Sequence, residues 1–425
     1  LGAVAGEDVL RVARHYLRPE NASVVAYVPA SGAPLASDRS ADYGPLVRRA
    51  LSEGSAVRTR ERGARFDGEA TAFSRPMILS ERRPTRSSSR TLTSGVRVLV
   101  RSSSALPIVS VAAVFRGGHV EEPDGRLGLT HFTQQYLLRG TEARAAGKVA
   151  DDLESLGTAM TTGIDPDGFG FGVTVTSDLL EESLGVVGEV LSRPAFPPEH
   201  AEPLKRAVLT EIGKIDDHLV RRARLALAPL VFPGHPYGRP LRGTAETVGR
   251  LTREDAASWS RRVLGAGRAV VAICGDVEPD HVIDALERAL PGLGAGGCFE
   301  EPECLPASLP DGEVDISHGA PGQSCVAFGL PGAAAGTRDA VVLQVLATGL
   351  SMMGGRLWNA LREGGPNAYA SGATSISLGL GGSVVTVAMV AAGEERRAVE
   401  AIEAVFRRVS REGLERGELE RAKRS

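Results

Sequence analysis

The sequence predicts an α+β fold of repeated lobes, each an antiparallel-rich sheet packed with helices. Two observations predict it. Runs of β-branched residues come first and segments of helical period follow, and this order occurs twice along the chain. Between the two occurrences, residues 292–310 are rich in Gly, Pro and Cys and read as a loop that separates the lobes.

The first thirty residues read as the close of an earlier unit. Val9, Leu10, Val12 and Ala13 have helical spacing, Arg18-Pro19-Glu20-Asn21 turns, and residues 23–28 alternate as a strand. Residues 254–274 repeat that plan. Glu7-Asp8 matches Glu254-Asp255, Arg14 matches Arg261, Leu17 matches Leu264 and Val24 matches Val271, all at one offset, which marks an internal repeat. Residues 1–35 are therefore expected to be the closing helix and strand of a preceding lobe, and a start at Leu1 reads as a cut. Residues 36–90 are rich in Ser, Arg and Gly and read as a linker with at most one short helix near Leu46.

Order resumes in a first lobe, 91–293. Strands are expected at 96–100, 109–115 and 169–176, with helices near 128–139, 147–156, 178–192 and 198–217. Thr252 and Asp255 have the spacing of a capping box that opens a helix over 253–263. A strand at 270–274 follows. After an interlobe loop at 294–311 comes a second lobe, 312–425. It should hold a strand at 324–330, one helix over 337–362, strands near 369–377 and 383–390, and a helix over 394–411. The sequence stops at Lys423-Arg424-Ser425 inside a further helix, so this lobe is expected to be truncated.

Composition narrows the function classes. With 42% hydrophobic and 24% charged residues, 425 residues can bury a sizeable core. The formal charge of -3 leaves no basic excess, so nucleic acid is not an expected partner. No run of about 18 apolar residues occurs, and no membrane span is expected. Cys274, Cys298, Cys304 and Cys325 form neither CxxC pairs nor a Cys/His zinc spacing. The Ala, Arg and Gly bias is that of a bacterial source of high GC content, with cytoplasm and periplasm both open.

The chemistry concentrates in Gly128-Leu129-Thr130-His131-Phe132-Thr133-Gln134-Gln135-Tyr136, followed by Gly140-Thr141. Residues at i and i+4 of a helix share one face, so His131 and Gln135 point the same way. The segment resembles the inverted zinc signature, H-x-x-E-H, of the insulinase, pitrilysin and mitochondrial-processing-peptidase family of metallopeptidases. In that signature both histidines hold zinc and the glutamate activates water. Here Gln134 stands at the glutamate and Gln135 at the second histidine. A neutral amide has no basic site in the range needed to take a proton from metal-bound water, and an amide oxygen is a weak replacement for an imidazole. Glu211 matches the family's downstream third ligand. The motif His131, Gln134, Gln135 and Glu211 is thus degenerate, and no metal is expected in this chain.

Other segments carry the resemblance across the chain after residue 90. Arg116-Gly117-Gly118-His119-Val120-Glu121-Glu122 resembles the family's turn before the signature helix, Gly234-His235-Pro236-Tyr237-Gly238 its G-H-P-Y-G loop, and Gly275-Asp276 the end of a strand. In the second lobe, Arg356-Leu357-Trp358-Asn359-Ala360-Leu361-Arg362-Glu363 and Ala368-Tyr369 resemble the family's R-L-x-x-x-L-R-E…A-Y segment. The usual glycine and leucine before the tyrosine are replaced by Pro366-Asn367. The resemblance implies that Arg362 and Tyr369 bind substrate, since a guanidinium and a phenol can both donate to a peptide carbonyl and to a developing oxyanion.

What the resemblance implies is a non-catalytic, substrate-holding half or subunit of a zinc metalloendopeptidase, inactive alone. Its partners would be a zinc-bearing insulinase-like domain or subunit and a peptide substrate. The zinc would lie in that partner half, upstream in one polypeptide or in a separate chain. A structural scaffold of the same fold is the alternative.

Overall fold

The computed structural model describes residues 87–425 apart from 217, 295, 298, 300–321 and 364. The helix and strand expected at 1–35, the internal repeat's first copy and most of the linker lie outside these residues.

The first lobe runs β1 (Ser87–Thr91), β2 (Arg97–Ser102), β3 (Ile108–Arg116), α1 (Leu129–Leu137), α2 (Ala146–Ser155), β4 (Thr161–Ile164), β5 (Gly168–Thr176), α3 (Leu180–Ser192), α4 (Ala201–Asp216), α5 (Leu219–Val231), α6 (Ala245–Gly249), α7 (Arg253–Val263), β6 (Ala269–Gly275) and α8 (Pro279–Ala289). Its sheet has the order β1-β2-β6-β3-β5-β4, with β2 and β6 parallel and every other neighbouring pair antiparallel. The period of two decides what is buried: Val109, Val111, Ala113 and Phe115 of β3 point into the core, while Ser110, Ala112 and Val114 point away from it. Phe169, Phe171, Val173 and Val175 of β5 and Val271 and Ile273 of β6 line the same core, against which α1, α3, α7 and α8 set their apolar stripes. The opposite face of the sheet stays open. It forms the floor of a cleft of about 850 Å³ lined by Leu99, Ser110, Ala112, Gly172, Thr174 and Cys274, among others.

The second lobe holds β7 (Gln323–Gly332), α9 (Arg338–Ser351), α10 (Arg356–Arg362), β8 (Ala370–Leu378), β9 (Gly381–Ala391), α11 (Glu395–Glu412) and α12 (Arg416–Arg424). Its sheet is β7-β9-β8, antiparallel throughout, which repeats the β3-β5-β4 part of the first sheet. Ala398, Ile402, Val405 and Val409 form a helical stripe on α11 that covers Val326, Ala388 and Val390. Arg356 of α10 grips Glu418 of α12 with two bonds, Nε to Oε1 at 2.9 Å and a terminal nitrogen to Oε2 at 2.7 Å.

Two expectations need correcting. Residues 87–90, read as linker, form most of β1 and pair with β2, Ser88 opposite Val100. The strand is polar and largely exposed, so it lacks the alternation that marks a strand in sequence. The single helix expected over 337–362 is two, α9 and α10. Gly354 takes φ 79 and the Gly355 amide turns back to the Met352 carbonyl at 2.6 Å, which ends the first helix before Arg356 starts the second. By length and composition alone, Arg338–Arg362 would pass as a membrane span. The break leaves helices of 14 and 7 residues, each too short to span a bilayer, and Leu350, Leu357 and Leu361 pack in the lobe core.

The lobes are tied by Tyr237. Its hydroxyl donates to Asp167 Oδ1 in the β4–β5 turn and accepts from the Leu380 amide at 3.0 Å, while Gly379 N donates to Asp167 Oδ2 at 2.7 Å. Burial, and then the bond to Asp167, push the phenol's pKa well above its ordinary value. A small apolar cluster of Val120, Val231, Phe232 and Tyr237, with Leu378 and Leu380 against it, surrounds this junction.

Candidate functional site

Helix α1 begins at Gly128, whose left-handed φ of 89 lets the chain turn into the helix. The unpaired amides of the first turn are met by Glu122: Gly128 N donates to Oε2 at 2.8 Å and Thr130 N to Oε1 at 2.6 Å. Trp259 of α7 donates to Thr130 Oγ1 at 3.0 Å. The start of the motif helix is therefore held from two sides, which sets the direction of every side chain after it.

The four motif residues do not converge on one point of chemistry. His131 is buried, and its Nε2 stands 3.4 Å from Glu211 Oε2 on α4. Gln134, 1% exposed, donates both amide protons to backbone carbonyls, Gly163 at 2.9 Å and Gly170 at 2.8 Å, so it joins α1 to β4 and β5. Gln135 donates to Thr162 Oγ1 at 3.1 Å. Both glutamines act as donors to the sheet.

A further residue enters the site from the loop after Pro240. Arg242 Nε lies 3.6 Å from Glu211 Oε2, the oxygen that also faces His131. The loop reaches α1 through two glycines: a Cβ on Gly243 would stand 2.1 Å from the Leu127 carbonyl oxygen, and one on Gly128 would stand 2.4 Å from that of Arg242. Burial and then the Arg242 charge lower the pKa of His131, against the opposing pull of Glu211.

These residues do not fit zinc. His131 and Glu211 supply two donors, Gln135 is turned to Thr162, and a guanidinium already sits on the carboxylate. Among the described residues no group of three His, Cys, Asp or Glu side chains has the arrangement to hold a metal ion.

The second expected site lies at the end of α10. Arg362 stacks over Trp358, 4.3 Å from guanidinium carbon to ring centroid, and its Nε donates to the Ala368 carbonyl at 3.0 Å. That bond ties it to the residue before Tyr369, which is anchored to β9 through the Met389 carbonyl at 2.8 Å and is 62% exposed. Asn367 takes the left-handed φ of 51, a conformation Asn tolerates, and so completes the turn without the family's glycine. Sequence reasoning singled out Arg362 and Tyr369 but not Trp358 as the stacking plate, nor Arg242 on Glu211. The i, i+4 spacing of Trp358 and Arg362 was the available signal for the first.

Residues 97–245 match the family model described as Insulinase (Peptidase family M16), and residues 250–425 match the one described as Peptidase M16 inactive domain. A probable mitochondrial-processing peptidase subunit beta of Arabidopsis thaliana is 25% identical over 279 residues, 65% of this chain and 51% of that protein. The Helicobacter pylori protein named non-peptidase homolog YmxG is 24% identical over 207 residues, 49% of this chain and 48% of its own. A solved peptidase M16 inactive domain from Pseudomonas fluorescens superposes with a TM-score of 0.75 at 20% identity, over 80% of this chain and 82% of that one, which is a likeness of fold. The chain spans about half the length of curated relatives it matches, 54%, 50% and 51% for three of them. By its two matched regions and its fold, the chain belongs to the insulinase family of M16 peptidases.

Proposed function

We propose that this chain is a non-catalytic, substrate-holding half of a zinc metalloendopeptidase, and that it presents Arg362 and Tyr369 to a peptide in a cavity completed by a zinc-bearing insulinase-like domain or subunit. The observation that carries this reading is the arrangement at the end of α10. A guanidinium held over Trp358 and fixed through Nε to the Ala368 carbonyl has further N–H groups to offer, and the exposed Tyr369 follows Ala368 directly in the chain. Two donors of that kind suit a peptide carbonyl and the oxyanion it becomes. The site on α1 supports the same division of labour, because Gln134 at the signature glutamate's position is a neutral amide bonded to the sheet, and Gln135 and Arg242 do not suit a metal. The open face of the first sheet supplies a wall for a cavity, and the Arabidopsis relative's name as a subunit supports a paired assembly. The zinc and the water-activating base belong, in this reading, to the partner.

The test combines Arg362→Ala or Tyr369→Phe with the zinc-bearing half and measures peptide cleavage beside complex formation by size exclusion. Loss of an oxyanion donor costs about 10²- to 10³-fold in turnover. A drop of that order with unchanged assembly is the expected result. Unchanged turnover in an active complex would leave the chain a scaffold.

A further inference from the structure

We infer that Arg242 takes the electrostatic place of a metal ion on Glu211, so that this site rejects divalent cations even when its missing ligand is restored. The argument starts from one atom. Glu211 Oε2 faces both His131 Nε2, at 3.4 Å, and Arg242 Nε, at 3.6 Å. A metal held by His131 and by this oxygen of Glu211 would share it with the guanidinium, and one held by the other oxygen would still lie close to that charge. An arginine keeps its charge at any pH a protein survives, so it cannot step aside by losing a proton. It is also held near by its backbone, because the Gly243 and Gly128 contacts fix the loop against the start of α1.

The same field acts on protons and on metal ions. Arg242 is the second cause, after burial, of the lowered proton affinity of His131, and a dication at the imidazole nitrogen would feel that charge doubly. Glu211 and Arg242 are both partly exposed, so solvent weakens the interaction without cancelling it. The inference concerns position 242 alone. It does not depend on Arg362 or Tyr369, and its failure would leave the proposed function standing.

The experiment uses the full chain and zinc alone as the probe. Gln135→His supplies the missing nitrogen, and it is compared with Gln135→His/Arg242→Leu and Gln135→His/Arg242→Lys by competition against a chromophoric chelator, with circular dichroism as the fold control. Arg242→Gln replaces Arg242→Leu if the latter does not fold. Changes beside a metal's ligands alter affinity by about 10- to 100-fold. The neutral variant should therefore bind zinc at least about tenfold more tightly than Gln135→His, and the lysine variant should stay weak. Adding His131→Ala to the neutral variant should remove the binding. Equal affinities with and without Arg242, a lysine variant as tight as the leucine one, or binding that survives His131→Ala would each overturn the inference.

Discussion

The side-chain amide of Gln134 donates to the Gly170 carbonyl at 2.8 Å. Its other amide proton goes to Gly163 on the neighbouring strand, and the side chain is 1% exposed. The position that matches the glutamate of the zinc signature is here a clasp between helix and sheet.

Gln134→Glu should therefore destabilise the chain. A carboxylate at this place sets its oxygens against two carbonyl oxygens with no donor between them, and an unsatisfied buried polar group costs about 1–3 kcal/mol, more when charged. Urea unfolding of the two proteins at neutral pH measures the difference. A midpoint that does not move would show that the clasp contributes nothing.

Acid should weaken the fold through His131. Its pKa is lowered in the folded chain by burial and by Arg242, so between the ordinary value of 6.5 and the lower folded value the unfolded chain binds the proton first. Stability from this group is complete above pH 6.5 and declines as pH falls below it. Thermal midpoints from pH 7.5 down to pH 5 should show a fall that is shallower in His131→Gln. Parallel curves would remove His131 from the pH response.

Tyr237→Phe should loosen the junction between the lobes. The substitution leaves the Leu380 amide and Asp167 Oδ1 without their shared partner, at a cost of about 1–3 kcal/mol. Faster hydrogen exchange at Leu380 is the local readout. Because the folded phenol's pKa is raised above its usual 10.0, its stabilisation is complete below that pH and is lost as pH rises past it. The phenylalanine variant should lack that alkaline loss. An identical alkaline limb in both proteins would contradict the clamp.

Assembly with a zinc-bearing half should shield Cys274. This thiol is exposed on the open face of the first sheet, where the proposed cavity wall lies. A bulky maleimide should label it in the free chain and label it at least several-fold more slowly in the complex, with Cys274→Ser as the control for the other thiols. Equal labelling rates would place the partner elsewhere.

Much of this was legible in the sequence where a pattern is local. The alternation of β3 and β5 and the helical stripe of α11 are periodicities within a dozen residues, and the Thr252–Asp255 box is present, with Asp255 N bonded to Thr252 Oγ1 at 3.1 Å. The degenerate motif could be read the same way, because His131, Gln134 and Gln135 lie on one helix. What escaped depends on neighbours distant in the chain. β1 is a strand because β2 pairs with it, not because its own serines prefer extended backbone. Arg242 meets Glu211 only after a loop has folded back across α1, and the Tyr237 bond to Asp167 spans 70 residues. No spacing rule covers such contacts. The break at Gly354-Gly355 was visible as a pair of glycines, yet the apolar period continued through it.

The glycine contact under Arg242 has a consequence for how such a site can change. Gly243 and Gly128 bring two backbones together, so the loop's path is set by the absence of side chains at those places and not by the side chain at 242. Exchange at 242 then alters charge while the scaffold stays as it is. Exchange at either glycine does the reverse, since an added Cβ must displace a carbonyl. The loop thus separates two kinds of inherited variation, one that retunes the chemistry beside Glu211 in a single step and one that threatens the fold itself.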